Sequence, residues 1–222
     1  SDASWLGVRI ALASDLAWQG RAVCQRGLAR RRSSRSLLDI LGKDGAFAEQ
    51  LTLPIDNLHR VPESLSDRAA CFVEPIAACF EILEQVHVAA DDRVVVLGDG
   101  KLGLLAALVL ASHGTRPVLL GKHADKLARA RQLGVMTALA GELPRKSFDV
   151  VVEATGSPRG MALAIELVRP RGTLVLKSTY HGPLTLDAAP LVIDEITLVG
   201  SRCGPFSPAL AQLAGGALDP EP

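Results

Sequence analysis

The chain has 222 residues, of which 48% are hydrophobic and 22% charged, and its 24 Lys and Arg balance 24 Asp and Glu. A zero net charge argues against a general binder of nucleic acid or other polyanions. The longest apolar run, residues 102–111, is too short for a bilayer, and we expect no secretion signal and no membrane partner. Cys24, Cys71, Cys79 and Cys203 form no Cys-x-x-Cys pair. We interpret them as free thiols of a cytoplasmic protein.

The first part of the chain, up to about residue 60, has an irregular pattern. It contains a basic stretch, RGLARRRSSR, which we interpret as a solvated loop. It also contains strand-like pieces such as GAFAEQLTLP. A helix is predicted over residues 74–86, because Pro75 is well placed for a first helical turn.

From residue 92 onward, predicted strands alternate with predicted helices. The strands are RVVVL, PVLL, MTALA, FDVVVEATG, GTLVLK and EITLVGS. One helix covers 102–113 and ends at Gly114, a second (HADKLARARQLG) ends at Gly134, and a third (SPRGMALAIELV) has Ser157 as its N-cap. This alternation predicts an α/β fold with a doubly wound parallel sheet of the Rossmann type.

Three glycines, Gly98, Gly100 and Gly103, form a G-x-G-x-x-G motif between a strand and a helix. In a dinucleotide site the first glycine allows a tight turn, the second lets the backbone approach a pyrophosphate, and the third allows close packing. Lys101 and Leu102 would lie at the start of the helix, and their backbone N–H groups would face the phosphates. We predict dinucleotide binding here, with glycines that serve packing alone as the alternative.

The choice between NADP and NAD depends on the end of the second strand. An NAD site places an Asp or Glu there to accept from the ribose 2′-hydroxyl. This chain has Gly121, followed by Lys122 and His123. Glycine would make room for a 2′-phosphate and lysine would pair with it, so we predict a preference for NADP over NAD. The alternative is a polar loop whose lysine points to water.

Five stretches carry a family resemblance: DGAFAEQLTLP, VEPIAACFEIL, RVVVLGDGKLGLLAA, FDVVVEATGSP and GTLVLKSTYHG. In this order and spacing the chain resembles the medium-chain, zinc-type alcohol dehydrogenase family, nearest its sorbitol- and threonine-dehydrogenase-like branch. That family joins a Rossmann domain to a GroES-like, β-rich catalytic domain. It transfers a hydride between an alcohol and NAD(P), usually with a catalytic zinc.

The resemblance implies a domain arrangement. Residues 1–73 would be a partial GroES-like catalytic domain, residues 74–200 the Rossmann domain, and residues 201–222 a truncated return to the catalytic domain. The chain would then be incomplete at both ends. It would act on a small-molecule alcohol or carbonyl compound and could form a homodimer.

Two groups of residues after predicted strands are candidates for the reaction centre. The resemblance places Ala154, Thr155 and Gly156 beside the nicotinamide ribose. Tyr180 and His181 could relay a proton, although polar residues after a strand are more often loop surface.

The metal ligands of the family match this sequence poorly. Glu74 stands where related enzymes place a glutamate near or on the catalytic zinc, but it could simply cap the helix that Pro75 opens. The family's upstream Cys and Gly-His-Glu segment have no counterpart in these 222 residues. A catalytic zinc needs three protein ligands, so one carboxylate cannot hold it.

The structural zinc lobe of the family is also incomplete in this sequence. Cys24 aligns with the third of its four cysteines, and the other three positions hold Trp18, Arg21 and Arg32. One thiolate cannot form a tetrahedral site, so zinc is doubtful in this chain.

Three functions therefore stay open. The first is an NAD(P)-dependent alcohol dehydrogenase, with the chain incomplete for zinc catalysis. The second is a zinc-free reductase that resembles quinone oxidoreductases. The third is a remnant that binds a dinucleotide without catalysis.

Overall fold

The computed structural model describes residues 3–14, 37–38, 42–180 and 182–220. The basic stretch, His181 and the residues aligned with the structural zinc lobe lie outside these ranges. The chain divides into two compact units: residues 1–77 together with 203–222, and residues 78–202.

The first unit contains a short antiparallel ladder. Strand β1 (Ile10–Leu12) pairs with β2 (Leu58–Arg60). The stretch GAFAEQLTLP does not form the expected strand: residues 45–54 are irregular, and Phe47 is fully exposed. A strand needs a neighbouring strand for its backbone hydrogen bonds, and alternating apolar residues alone do not supply one. The partial GroES-like domain stays a prediction.

Helices complete this unit. They are α1 (Asp67–Ala70), the first turn of α2 (Val73–Gln85), and α7 (Phe206–Ala214). Helix α2 confirms the prediction of a helix around Pro75, which lies in its first turn. The ring of His59 stacks on Phe206 at 4.8 Å between centroids.

A parallel sheet forms the centre of the second unit. Its six strands in chain order are β3 (Val94–Leu97), β4 (Val118–Gly121), β5 (Met136–Leu139), β6 (Phe148–Glu153), β7 (Val168–Leu176) and β8 (Thr197–Gly200). In space they follow the order β5-β4-β3-β6-β7-β8, and all neighbours are parallel. This is the Rossmann order, whose direction reverses between β3 and β6. The predicted Rossmann fold is confirmed.

The central strand shows why the sequence predicts it so clearly. Every residue of β3 is at most 1% exposed. A parallel strand covered on both faces has a continuous apolar run instead of an alternating one. The edge strands are less buried, since Met136 in β5 is 49% exposed and Leu198 in β8 is 43% exposed.

Helices lie between the strands of this unit along the chain. They are α3 (Lys101–Ser112), α4 (Ala124–Gln132), α5 (Pro158–Leu167) and α6 (Ala189–Ile193). The hydroxyl of Ser157 accepts a hydrogen bond from the Gly160 backbone N–H at 3.0 Å, which confirms it as the N-cap of α5. Across the described ranges, no helix has both the length and the apolar character required to cross a membrane.

Candidate cofactor site

The carboxyl ends of β3, β4 and β6 meet at one edge of the sheet and border a cavity of about 700 Å³. This is a usual size for a small-molecule site, and it lies at the point where the strand order reverses. Of the predicted cofactor residues, the lining includes Gly98, Gly100, Gly121, Lys122, His123, Ala154 and Thr155. The other predicted cofactor residues are close to this lining in the chain. Gly156 lies between the lining residues Thr155 and Ser157, and the first turn of the helix after Gly100 contains Lys101, Leu102 and Gly103.

Gly98 makes the sharp turn that follows β3. Its φ is +116°, a conformation that side chains rarely adopt. A Cβ atom at this position would lie 2.7 Å from the carbonyl oxygen of Ala154. Glycine is therefore required both for the turn and for its close approach to the segment after β6.

Gly103 and Gly100 have different surroundings. A Cβ atom at Gly103 would lie 1.9 Å from the Gly98 carbonyl oxygen, so this glycine packs α3 against the turn. A Cβ atom at Gly100 would meet nothing within 4 Å. Gly100 is the N-cap of α3 and lines the cavity, next to N–H groups that have no acceptor within the helix. This open space fits a pyrophosphate.

The rim of the cavity is mainly basic. Lys122, His123, Lys126 and Arg159 line it, and Asp99 is the one acid among the described lining residues. This excess of basic over acidic side chains attracts the phosphates of a dinucleotide.

Asp99, between the first two glycines of the motif, closes one corner of the cavity. Its Oδ2 accepts from the backbone N–H groups of Lys122 at 2.8 Å and His123 at 2.7 Å. The Nδ1 atom of His123 lies 2.9 Å from both carboxylate oxygens, and the side chain of Asp99 is 8% exposed. Burial raises the pKa of Asp99, but the hydrogen bonds from His123 and Lys122 outweigh it and hold the pKa below its ordinary value.

Gly121 has a different role from the one expected. A Cβ atom there would lie 2.6 Å from both Cβ and Oδ2 of Asp99. The space that we expected for a 2′-phosphate is therefore filled by the Asp99 side chain. Sequence analysis did not assign Asp99, although an acid between two glycines of the motif was a visible signal. The preference for NADP now rests only on the charge of Lys122.

A buried carboxylate fixes the segment that follows β6. Glu153 is fully buried, and its Oε1 accepts from both the backbone N–H of Thr155, at 2.7 Å, and the Thr155 hydroxyl. The Tyr180 hydroxyl donates to Oε2 at 2.5 Å. Burial, and then this hydrogen bond and the charge of Glu153, raise the pKa of Tyr180. Its proton stays in a structural hydrogen bond, which argues against the proton relay.

Replacing Tyr180 with Phe should lower the free energy of unfolding by about 1–2 kcal/mol, because a hydrogen bond to a charged group is lost. Urea denaturation of both proteins measures the difference. In a Glu153→Gln background the same replacement should cost about half as much, because the acceptor is then neutral. An unchanged stability in both backgrounds would contradict a structural role for this hydrogen bond.

Glu74, the predicted metal residue, lies in the first unit. It is the second residue of α2 and is exposed. Cys71 nearby is also exposed. Within the described part of the chain, no three His, Cys, Asp or Glu side chains come together in a way that could hold a metal ion. The described residues therefore do not supply a catalytic zinc site, which needs three protein ligands.

A doubly wound sheet with a glycine-rich turn at its switch point defines a Rossmann-type nucleotide-binding domain. Residues 102–215 match the family model described as zinc-binding dehydrogenase. The chain belongs to this zinc-binding dehydrogenase family, which confirms the resemblance predicted from the sequence.

Individual relatives agree with this assignment. Sorbitol dehydrogenase of Halalkalibacterium halodurans is 30% identical over 188 residues, which are 77% of this chain and 55% of that enzyme. The chain thus spans about half the length of the curated relatives that it matches.

Solved structures share the fold. A zinc-binding dehydrogenase from Sinorhizobium meliloti 1021, bound to NADP, has a TM-score of 0.84 and 23% identity, covering 96% of this chain and 67% of that one. An alcohol dehydrogenase from Escherichia coli CFT073, complexed with NADH, has a TM-score of 0.87 and 19% identity, covering 99% of this chain and 69% of that one.

Proposed function

We propose that this chain binds NAD(P) in the cavity described above and serves an oxidoreductase that transfers a hydride between the dinucleotide and a small alcohol or carbonyl compound. The observation that carries the proposal is the open space at Gly100, at the start of α3 and at the switch point of the sheet. Similarity to sorbitol dehydrogenase and to structures that contain NADP or NADH supports it.

The residues of the cavity have separable roles in this proposal. Gly100 and the first N–H groups of α3, at Lys101 and Leu102, would hold the pyrophosphate. Ala154 and Thr155 would lie beside the nicotinamide ribose, and the Glu153 carboxylate holds Thr155 in place. The bound cofactor supplies the chemistry, since its nicotinamide ring accepts or donates the hydride.

The names of two relatives support a substrate class. Sorbitol dehydrogenase and galactitol 1-phosphate 5-dehydrogenase are named for polyols, so we propose a polyol or a related secondary alcohol. The absence of nucleic-acid and membrane partners, a cytoplasmic location and a homodimer stay predictions.

A combined zinc and binding measurement tests this function. After dialysis against a weak chelator, we expect these 222 residues to hold far less than one zinc per chain, because the described residues offer no ligand set. We expect them to bind a reduced dinucleotide all the same, with little or no oxidation of sorbitol. Elemental analysis, calorimetry and the absorbance of reduced nicotinamide measure the three quantities.

The other outcomes discriminate between the functions. Near one zinc per chain, with sorbitol oxidation, would contradict the metal prediction and support a complete dehydrogenase. Metal-independent quinone reduction by the dinucleotide would favour the zinc-free reductase. A failure to bind dinucleotide would contradict the proposed function.

A further inference from the structure

The corner of the cavity at the end of β4 is built as an anion site, and Asp99 already fills it. Two backbone N–H groups, at Lys122 and His123, point to one carboxylate oxygen. The imidazole of His123 contacts the carboxylate at 2.9 Å, and Lys126 Nζ lies 4.0 Å from Oδ1. Backbone N–H groups together with cationic side chains are the donors that hold a phosphate in other proteins.

This corner is also where a Rossmann site distinguishes its cofactors. In a Rossmann site, the residue at the end of the sheet's second strand along the chain faces the 2′ position of the adenosine ribose. In this sheet that strand is β4. In this chain β4 ends with Gly121, but the acid comes from the glycine motif of the preceding turn. Asp99 occupies the position beside Gly121 that a β4 side chain would otherwise fill.

We propose that Asp99 determines cofactor preference: its carboxylate occupies the anion position of this corner, so that the cavity accepts a dinucleotide with a free 2′-hydroxyl and disfavours one with a 2′-phosphate. NAD is then preferred over NADP. Since this inference rests on the proposed dinucleotide binding, its test must separate loss of preference from loss of binding.

The nearby lysines do not reverse this preference. Lys126 is 48% exposed and Lys122 is exposed, so water and salt screen their attraction for a phosphate. The side chain of Asp99 is only 8% exposed, and its charge is screened much less. A 2′-phosphate would also compete with Asp99 for the same two backbone donors. Repulsion and lost hydrogen bonds therefore act together against NADP.

The test is calorimetric titration of the chain with NADH and with NADPH, before and after Asp99→Ser. We expect the unaltered chain to bind NADH at least about tenfold more tightly than NADPH. In Asp99→Ser the two backbone donors become available to a phosphate. The ratio of the two dissociation constants should then shift by at least about tenfold towards NADPH.

Two further variants keep this test decisive. Asp99→Asn retains an acceptor for the backbone N–H groups and removes only the charge, so it should shift the ratio in the same direction even if Asp99→Ser does not fold. Asp125→Ser removes an exposed acid at the start of α4 that does not line the cavity, and should shift the ratio less than about twofold.

Each alternative result has a distinct meaning. Equal affinities, or tighter binding of NADPH by the unaltered chain, would overturn the role of Asp99 while leaving the proposed function intact. An equal shift in Asp125→Ser would overturn it as well, because general surface charge would then explain the preference. Binding of neither dinucleotide would overturn both the inference and the proposed function.

Discussion

Replacing Gly100 with Val should weaken dinucleotide binding by on the order of 100-fold or more, while the fold is preserved. A side chain at Gly100 would meet no protein atom within 4 Å, so it would project into the open space at the start of α3. That space is the one proposed for the pyrophosphate. The valine would occupy it and keep the phosphates away from the helix N-terminus.

Stability should change little in this variant. Gly100 has φ −79° and ψ 177°, which any residue adopts, and the loss of a glycine N-cap costs up to about 1 kcal/mol. Gly200→Val is a matched control, because this position in β8 is also open and does not line the cavity. Calorimetric titration and thermal melts of both variants measure the effects. Unchanged binding in Gly100→Val would show that the glycines serve packing alone.

Replacing Gly98 with Ala should lower the free energy of unfolding by about 3 kcal/mol. The φ of +116° is strained for a residue with a Cβ atom, at a cost of about 1–3 kcal/mol. The added methyl group would also lie 2.7 Å from the Ala154 carbonyl oxygen, and overpacking of this kind costs about 1–3 kcal/mol. Because that oxygen belongs to the backbone, it cannot rotate away.

Gly114→Ala separates the two contributions. Gly114 follows α3 with a φ of +87°, but a Cβ atom there would meet nothing within 4 Å. It therefore carries the conformational cost alone, about 1 kcal/mol. Urea denaturation of both variants gives the difference. Equal losses would mean that the close approach of Gly98 to Ala154 contributes nothing to stability.

The elements that sequence analysis predicted well are those with local causes. The strand β3 is a short apolar run because both faces of a parallel strand are covered. Helix α5 begins at Pro158 because Ser157 caps it. The alternation of strands with helices then restricts the sheet to a few topologies, since parallel crossovers have one handedness.

The features that were missed depend on contacts between distant parts of the chain. Gly121 was interpreted from its position alone, but its environment is set by Asp99, 22 residues earlier. Likewise, Tyr180, which follows β7, donates to Glu153 at the end of the adjacent strand β6, and no local pattern indicates this pairing. The stretch GAFAEQLTLP has strand composition, but residues 45–54 are irregular. Side-chain placement of this kind follows from the fold and cannot be deduced from spacing.

Cofactor preference is a case in which a contact between distant residues changes the interpretation of the sequence. The sequence favoured NADP because β4 ends in Gly121 and is followed by Lys122, with no Asp or Glu at the position that would contact the ribose. The structure supplies an acid from the preceding turn to the same place. Both interpretations use the same principle, that a carboxylate at the end of this strand disfavours a 2′-phosphate. Only the structure shows which residue provides the carboxylate.

The most direct test of dinucleotide binding is a titration of the unaltered 222-residue chain with NADH, monitored by the fluorescence of the reduced nicotinamide. We predict saturable binding of one NADH per chain, displaced by ADP-ribose because both molecules contain the pyrophosphate that the start of α3 would hold. A fluorescence change that rises linearly without saturation, or that ADP-ribose does not reverse, would contradict a dinucleotide site in this cavity.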